Sequence, residues 1–127
     1  MVYFFYSYPV TSNHCEKVTD KNVMGYYVSC NPRNKNKQYI KILPNHTFLM
    51  YYCNGDSMTT EMGTWKRSDG CQVKLNGIRW FGLPANIQDT LRYDGHFNWI
   101  RGKLAMGEDS WSFQKTWQKP KLVCEKK

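Results

Sequence analysis

Three turn signals at short intervals within residues 39–75 constrain the fold of this chain more than any other feature. They are Pro-Asn-His at 44–46, Asn-Gly at 54–55 and Ser-Asp-Gly at 68–70. Proline presets φ, asparagine tolerates the left-handed region, and Asn-Gly favours a two-residue hairpin turn. Turns this close together leave no room for a long helix. They predict four short strands joined as an antiparallel meander.

The side chains between these turns alternate between apolar and polar. Phe48, Met50 and Tyr52 share one face of a predicted strand, and Val73 and Leu75 share one face of another. A period of two is that of a strand with one buried and one solvated face. Short strands and turns of this kind continue on both sides of the meander. The chain is therefore predicted to be all-β, a small antiparallel up-and-down barrel of about eight strands.

Outside the meander, the predicted strands begin and end at turn residues. Asp94-Gly95 is predicted as a hairpin turn. The segment at 82–90, which contains Pro84, interrupts the strands and is predicted to gate one mouth of the barrel. The further strands are predicted at 22–30, 77–81, 90–93, 96–106 and 110–117.

The order of several motifs resembles the lipocalin-like domains of small bacterial secreted proteins and lipoproteins. The matching motifs are Thr47-Phe48, Gly63-Thr64-Trp65-Lys66, Asp69-Gly70 and Val73 to Leu75, and Gly25-Tyr26-Tyr27 stands where such a barrel opens with Gly-x-Trp. The resemblance covers residues 23–117. It implies a small barrel, often exported and often of unknown ligand, with no shared catalytic residues. Residues 1–22 are then an N-terminal arm or signal-peptide remnant, and residues 118–127 are a basic C-terminal tail.

Length and charge set broad limits on function. A chain of 127 residues is expected to form one domain. Eighteen Lys and Arg against ten Asp and Glu give a formal charge of +8, which favours anionic partners. No apolar run is long enough for a membrane-spanning helix. Residues 1–14 read either as a signal remnant or as a strand packed on the barrel, and both readings stay open.

The five cysteines leave at least one outside any intrachain disulfide. The predicted strands place Cys53 and Cys71 about 20 Å apart, beyond the ~7 Å between Cα atoms that a disulfide allows. We predict the pairs Cys30–Cys53 and Cys15–Cys71, with Cys124 left over. Two alternatives stay open. In one, Cys15 carries a lipid anchor and the other four pair; in the other, all five are thiols in a reducing cell.

No motif predicts catalysis or a metal site. His14, His46 and His96 lie in or beside predicted turns, and the spacing of histidines and cysteines matches no metal-binding pattern. Glu61 has no second carboxylate predicted to face it, as a glycosidase would need. We therefore predict no catalytic residue, no metal ligand and no cofactor.

Aromatic side chains carry the functional prediction. They are predicted to line a pocket for a small apolar ligand. The alternative is that they simply fill the barrel, since eight strands enclose little more than side chains. The predicted ligand-binding residues are Tyr26, Tyr52, Trp65, Trp80, Trp99, Trp111 and Phe113.

Basic residues in one loop carry the second functional prediction. Arg33, Lys35 and Lys37 are predicted to contact a partner. The function expected is a non-enzymatic binding protein, with a small hydrophobic ligand in the barrel or a protein partner on its surface. The alternative is a small basic inhibitor of an acidic protein, with nucleic acid less favoured. We expect a secreted, periplasmic or outer-surface bacterial protein, with the cytoplasm as the alternative. Asn45-His46-Thr47 also matches a glycosylation sequon.

Overall fold

The computed structural model describes residues 18–32, 36–54, 56–68, 70–78, 92–107 and 112–124. One short helix precedes the described strands. In chain order the elements are α1 (Asp20–Val23), β1 (Gly25–Ser29), β2 (Gln38–Ile42), β3 (Thr47–Asn54), β4 (Ser57–Arg67), β5 (Gln72–Ile78), β6 (Tyr93–Ile100), β7 (Lys103–Ala105) and β8 (Phe113–Thr116).

The strands close into an antiparallel up-and-down barrel. Each strand pairs with the next along the chain, and β8 pairs with β1 through Tyr26 opposite Thr116 and Ser29 opposite Phe113. Closure satisfies the backbone groups that an edge strand would leave open. The predicted eight-stranded barrel is confirmed.

Alternate residues of every strand point into the barrel and form one core. Phe48 and Met50 on β3 face inward, as the alternation predicts. Gly63, opposite Phe48, permits a close approach, because a Cβ there would collide with the Phe48 ring and the Asn76 carbonyl oxygen. Tyr39 is also fully buried, but it lies on the outer face of its strand, against Tyr26 and Tyr51. The largest fully buried side chains of the core are Trp65, Tyr27, Phe48, Phe97, Phe113, Ile40, Ile42, Met50, Leu75, Ile78 and Leu104.

The predicted turn at Asp94-Gly95 is wrong. Both residues lie inside β6, with Gly95 opposite Leu75 of β5. Gly95 faces the core, where the Phe97 ring would contact an added Cβ at 2.5 Å. The glycine therefore serves close packing, and the chain reverses instead at Arg101-Gly102, where both residues have positive φ.

Helix α1 covers one end of the barrel, which we call the basal end. Thr19 caps the helix, and its hydroxyl and backbone amide form a capping box with Asn22. Val18 and Val23 are buried in the core. The Tyr27 hydroxyl donates to the Val23 carbonyl oxygen at 2.5 Å. The last residues of the predicted arm thus pack against the barrel, while residues 1–17 lie outside the described residues.

The predicted pair Cys30–Cys53 is wrong. Cys53 forms a disulfide with Cys124, with 5.2 Å between the Cα atoms, and Cys30 is a half-buried thiol. Cys71 is also disulfide-bonded; its predicted partner, Cys15, lies outside the described residues. The error arose because the basic tail was treated as separate from the barrel.

That tail, over residues 118–124, returns along the outside of the barrel from the basal end to the opposite, distal end. The Val123 amide donates to the Asn36 carbonyl oxygen at 2.8 Å. Pro120, Leu122 and Cys124 are half-buried, and the residues between them are exposed. This period of two indicates an extended segment with one face on the barrel.

Candidate functional site

The five predicted ligand-lining residues that the structure describes occupy three kinds of position: the barrel interior, its basal end and its outer surface. Tyr52, Trp65 and Phe113 face the interior and are buried. Trp99 faces inward at the basal end and is half-buried, packed against the core. Trp80 and Trp111 lie outside the described residues, as does the predicted gate at 82–90.

The described interior is filled by these rings. The Trp65 indole donates from Nε1 to the Leu43 carbonyl oxygen at 2.8 Å, and the His46 ring meets it edge-on at 4.8 Å. Phe97 and Phe113 pack at 6.1 Å between ring centroids. A ligand among these side chains would have to displace them, so the described rings favour the alternative that they fill the barrel.

The predicted interior placement of Tyr26 is wrong. Its neighbour Tyr27 is the fully buried residue, so Tyr26 points outward. A shift of one residue moves every side chain of a strand to the other face. On the outside, Tyr26 packs 6.0 Å from the Tyr39 ring, and the Lys41 ammonium lies 5.1 Å from its centroid.

A pocket of about 310 Å³ opens beside α1 at the basal end, and we call it the basal pocket. It is built from the helix, the β6–β7 turn and the end of β8. Its lining combines two indole rings with two cationic side chains. The lining residues are Asn22, Trp99, Arg101, Gly102, Gln114, Lys115 and Trp117.

A chain of hydrogen bonds fixes one wall of the basal pocket. Trp99 donates from Nε1 to the Tyr27 hydroxyl at 2.9 Å, and that hydroxyl donates onward to the Val23 carbonyl. Burial raises the pKa of Tyr27, so the phenol stays protonated. The indole of Trp99 is therefore held in one orientation.

The two cations reach the basal pocket from different elements. Lys115 lies opposite Tyr27 in the β1–β8 pair, and its Nζ donates to the Asn22 carbonyl oxygen at 2.8 Å. Partial burial lowers the pKa of Lys115. Arg101 sits in the turn with φ 51°, a conformation rare for a side chain other than glycine. Positive φ at both Arg101 and Gly102 is what a two-residue hairpin turn of type I′ requires.

Trp117 completes the basal pocket and is 98% exposed. It follows β8 directly, and the neighbouring Thr116 hydroxyl bonds to the Gln118 carbonyl oxygen at 2.5 Å. Tryptophan is highly buried on average, so an indole left in water beside two cations suggests a binding contact. A strand was predicted at 110–117, but that prediction could not show which residues meet in space.

A second cluster at the basal end holds α1 in place. Asp20 accepts from Arg67 Nε, and its second oxygen lies 3.0 Å from His46 Nε2. Arg67 also donates to the Val18 carbonyl oxygen at 2.9 Å. These hydrogen bonds, from Arg67 above all and then from His46, hold the pKa of Asp20 below its usual value.

Of the predicted partner-contacting residues, the structure describes Lys37, which lies at the distal end. Arg33 and Lys35 are outside the described residues, and Lys37 is half-buried, with its carbonyl oxygen accepting from the Cys53 amide at 2.9 Å. Within the described ranges, no cluster of three or more His, Cys, Asp or Glu is placed to hold a metal ion. No helix in that part of the chain is long and apolar enough to cross a membrane.

No family model, curated protein or solved structure gives a significant match to this chain. The assignment of this chain as a barrel therefore rests on its observed strand pairing alone. The lipocalin-like resemblance remains a prediction.

Proposed function

We propose that this is an exported, non-enzymatic binding protein that holds an anionic partner in the basal pocket. The observation that carries the proposal is the 98% exposed Trp117 beside Arg101 and Lys115. Trp and Arg dominate the binding energy of many interfaces. We place the ligand here because the described interior is already filled by side chains.

The charge of the pocket determines the ligand class. Arg101 and Lys115 are both lining residues, and no carboxylate is among the residues that line this pocket in the described chain. A guanidinium donates to carboxylate, sulfate or phosphate oxygens in a bidentate fork. The indoles of Trp99 and Trp117 supply flat apolar surface. The best-fitting ligand is thus an anionic group attached to a planar or ring-shaped body.

The volume agrees with a small ligand or a single side chain of a larger partner. About 310 Å³ is near the lower limit of small-molecule pockets. An acidic protein that inserts one anionic side chain would use the same contacts. The Cys53–Cys124 disulfide supports export, because such bonds persist in oxidising compartments.

Calorimetric titration with naphthalenesulfonate and uncharged naphthalenesulfonamide tests the proposal. The two probes share a ring system and differ in charge. A hydrogen bond to a charged group contributes about 1.5–3 kcal/mol, so the sulfonate should bind about tenfold or more tightly. Added salt should weaken its binding, because the pocket is open to solvent.

Three variants locate the site. Arg101→Gln and Trp117→Ala should each weaken sulfonate binding, because both side chains are exposed lining residues whose loss leaves the core intact. Lys37→Gln, which removes one charge at the distal end, is the matched control and should bind normally. Equal affinity for the two probes, or equal loss in the control, would reject the proposal.

A further inference from the structure

We infer that Asn45 is an N-glycosylation site, modified when the chain enters a eukaryotic secretory lumen. Residues 45–47 read Asn-His-Thr, the acceptor triplet with a central residue other than proline. The inference rests on the proposal that the protein is exported, and it does not depend on ligand binding in the basal pocket.

The triplet lies in an exposed turn between β2 and β3. The Leu43 amide donates to the Thr47 carbonyl oxygen at 2.9 Å, which closes the turn. Asn45 and His46 are both exposed, and His46 has φ 64°. The Trp65 amide donates to the His46 carbonyl oxygen at 2.9 Å. The turn is therefore held by the barrel, and the Asn45 side chain is exposed.

The side chains of the triplet leave the acceptor nitrogen accessible. The Thr47 hydroxyl donates to the Asn45 carboxamide oxygen at 2.5 Å. Among the described residues, the carboxamide nitrogen of Asn45 has no hydrogen-bond partner. The nitrogen that would bond to the sugar is therefore unobstructed by hydrogen bonds within the described part of the chain.

The transfer balances with a lipid-diphosphate-linked oligosaccharide as co-reactant. The Asn45 carboxamide nitrogen forms a bond to the anomeric carbon of the first sugar. The bond from that carbon to the diphosphate oxygen breaks, and the lipid diphosphate leaves with the electron pair. The nitrogen loses one proton to solvent, and the departing lipid diphosphate carries one more negative charge. No change in oxidation state is involved.

The folded barrel has space for the attached glycan. Asn45 lies on the edge of an open depression of about 610 Å³, whose lining includes His46, Thr64, Lys66 and Asn76. A glycan directed away from this surface would displace no buried side chain. The disulfide Cys53–Cys124 requires the oxidising conditions that the same lumen provides.

Expression of the full chain behind a secretory signal in cultured mammalian cells tests the inference. Both the protein retained in the secretory lumen and the protein released into the medium are analysed. Intact mass should show one glycan, and peptide-N-glycosidase should remove it and convert residue 45 to aspartate in the tryptic peptide. Asn45→Asp and Thr47→Ala should abolish the modification, and Thr47→Ser should retain it because serine keeps the hydroxyl.

A second, added sequon shows whether the host cells glycosylate this chain at all. It therefore distinguishes an Asn45 that is not an acceptor from a chain that was never exposed to the transferase. Asp56→Thr places a threonine two residues after Asn54, the exposed last residue of β3, next to another hairpin turn. In this variant we expect glycans on both Asn45 and Asn54. An unmodified Asn45 beside a modified Asn54 would overturn the inference while leaving export intact. A reduced Cys53–Cys124 pair would count against export and not against the basal pocket.

Discussion

Removal of one hydroxyl, by Tyr27→Phe, should destabilise the barrel and loosen the basal pocket. The Tyr27 hydroxyl accepts from Trp99 Nε1 at 2.9 Å and donates to the Val23 carbonyl oxygen at 2.5 Å. Phenylalanine keeps the ring and leaves both partners without this bond. An unsatisfied buried polar group costs about 1–3 kcal/mol.

The two orphaned partners differ in how far water can replace the lost bond. Val23 is fully buried, so its carbonyl should contribute the larger share. Trp99 is half-buried, and its indole N–H can partly recover a bond to water. We expect a total loss of about 2–3 kcal/mol in the free energy of unfolding.

Urea denaturation without reductant, followed by tryptophan fluorescence, measures this loss. The slope of the unfolding free energy against urea concentration should not change if only stability is altered. Tyr26→Phe is the matched control: its ring packs outside the barrel on Tyr39, and within the described residues its hydroxyl makes no hydrogen bond. The control should change stability by less than about 0.5 kcal/mol. Equal effects of the two substitutions would refute both the hydrogen-bond chain and the face assignment.

Three further substitutions test other parts of the structure. Gly63→Ala should destabilise by about 1–3 kcal/mol, because its Cβ would meet the Phe48 ring and a backbone oxygen; a neutral result in urea would contradict that close approach. Asp20→Asn should lower the melting temperature at pH 6 more than at pH 2. The folded-state pKa lies below the usual 3.8, so the carboxylate stabilises above that value and the effect disappears as pH falls through the lower one; an equal loss at both pH values would refute the ion pairs. Cys124→Ser should cost up to about 4 kcal/mol, since the link to Cys53 spans 71 residues; an unchanged urea midpoint would contradict this.

The strands of the meander were predictable because their signals are local. Asn-Gly at 54–55 marks the β3–β4 hairpin, and the alternation of Phe48, Met50 and Tyr52 identifies the inner face of β3. Asp94-Gly95 shows the limit of such signals. The same dipeptide favours a turn and also permits close packing inside a strand, and only the Phe97 ring above Gly95 decides between them.

The candidate site was only partly predictable. Trp99 was expected to line a pocket, but it was assigned to the barrel interior. Tyr26 was placed inside because a short strand has too few residues for the pattern to reveal its phase. Arg101 and Trp117 join the site through a turn and a strand end, where no periodicity applies.

By itself the sequence determined the fold class, because turn residues and a period of two act over a few neighbouring positions. Tertiary structure decided which face of the short strand β1 turns inward, how Cys53 meets Cys124, and how Asn22 comes to lie beside Lys115. Contacts between residues far apart in the chain depend on barrel closure and strand register. Local signals do not encode the closure of β8 on β1, and on a strand as short as β1 they do not reveal the register, where a one-residue shift inverts every face.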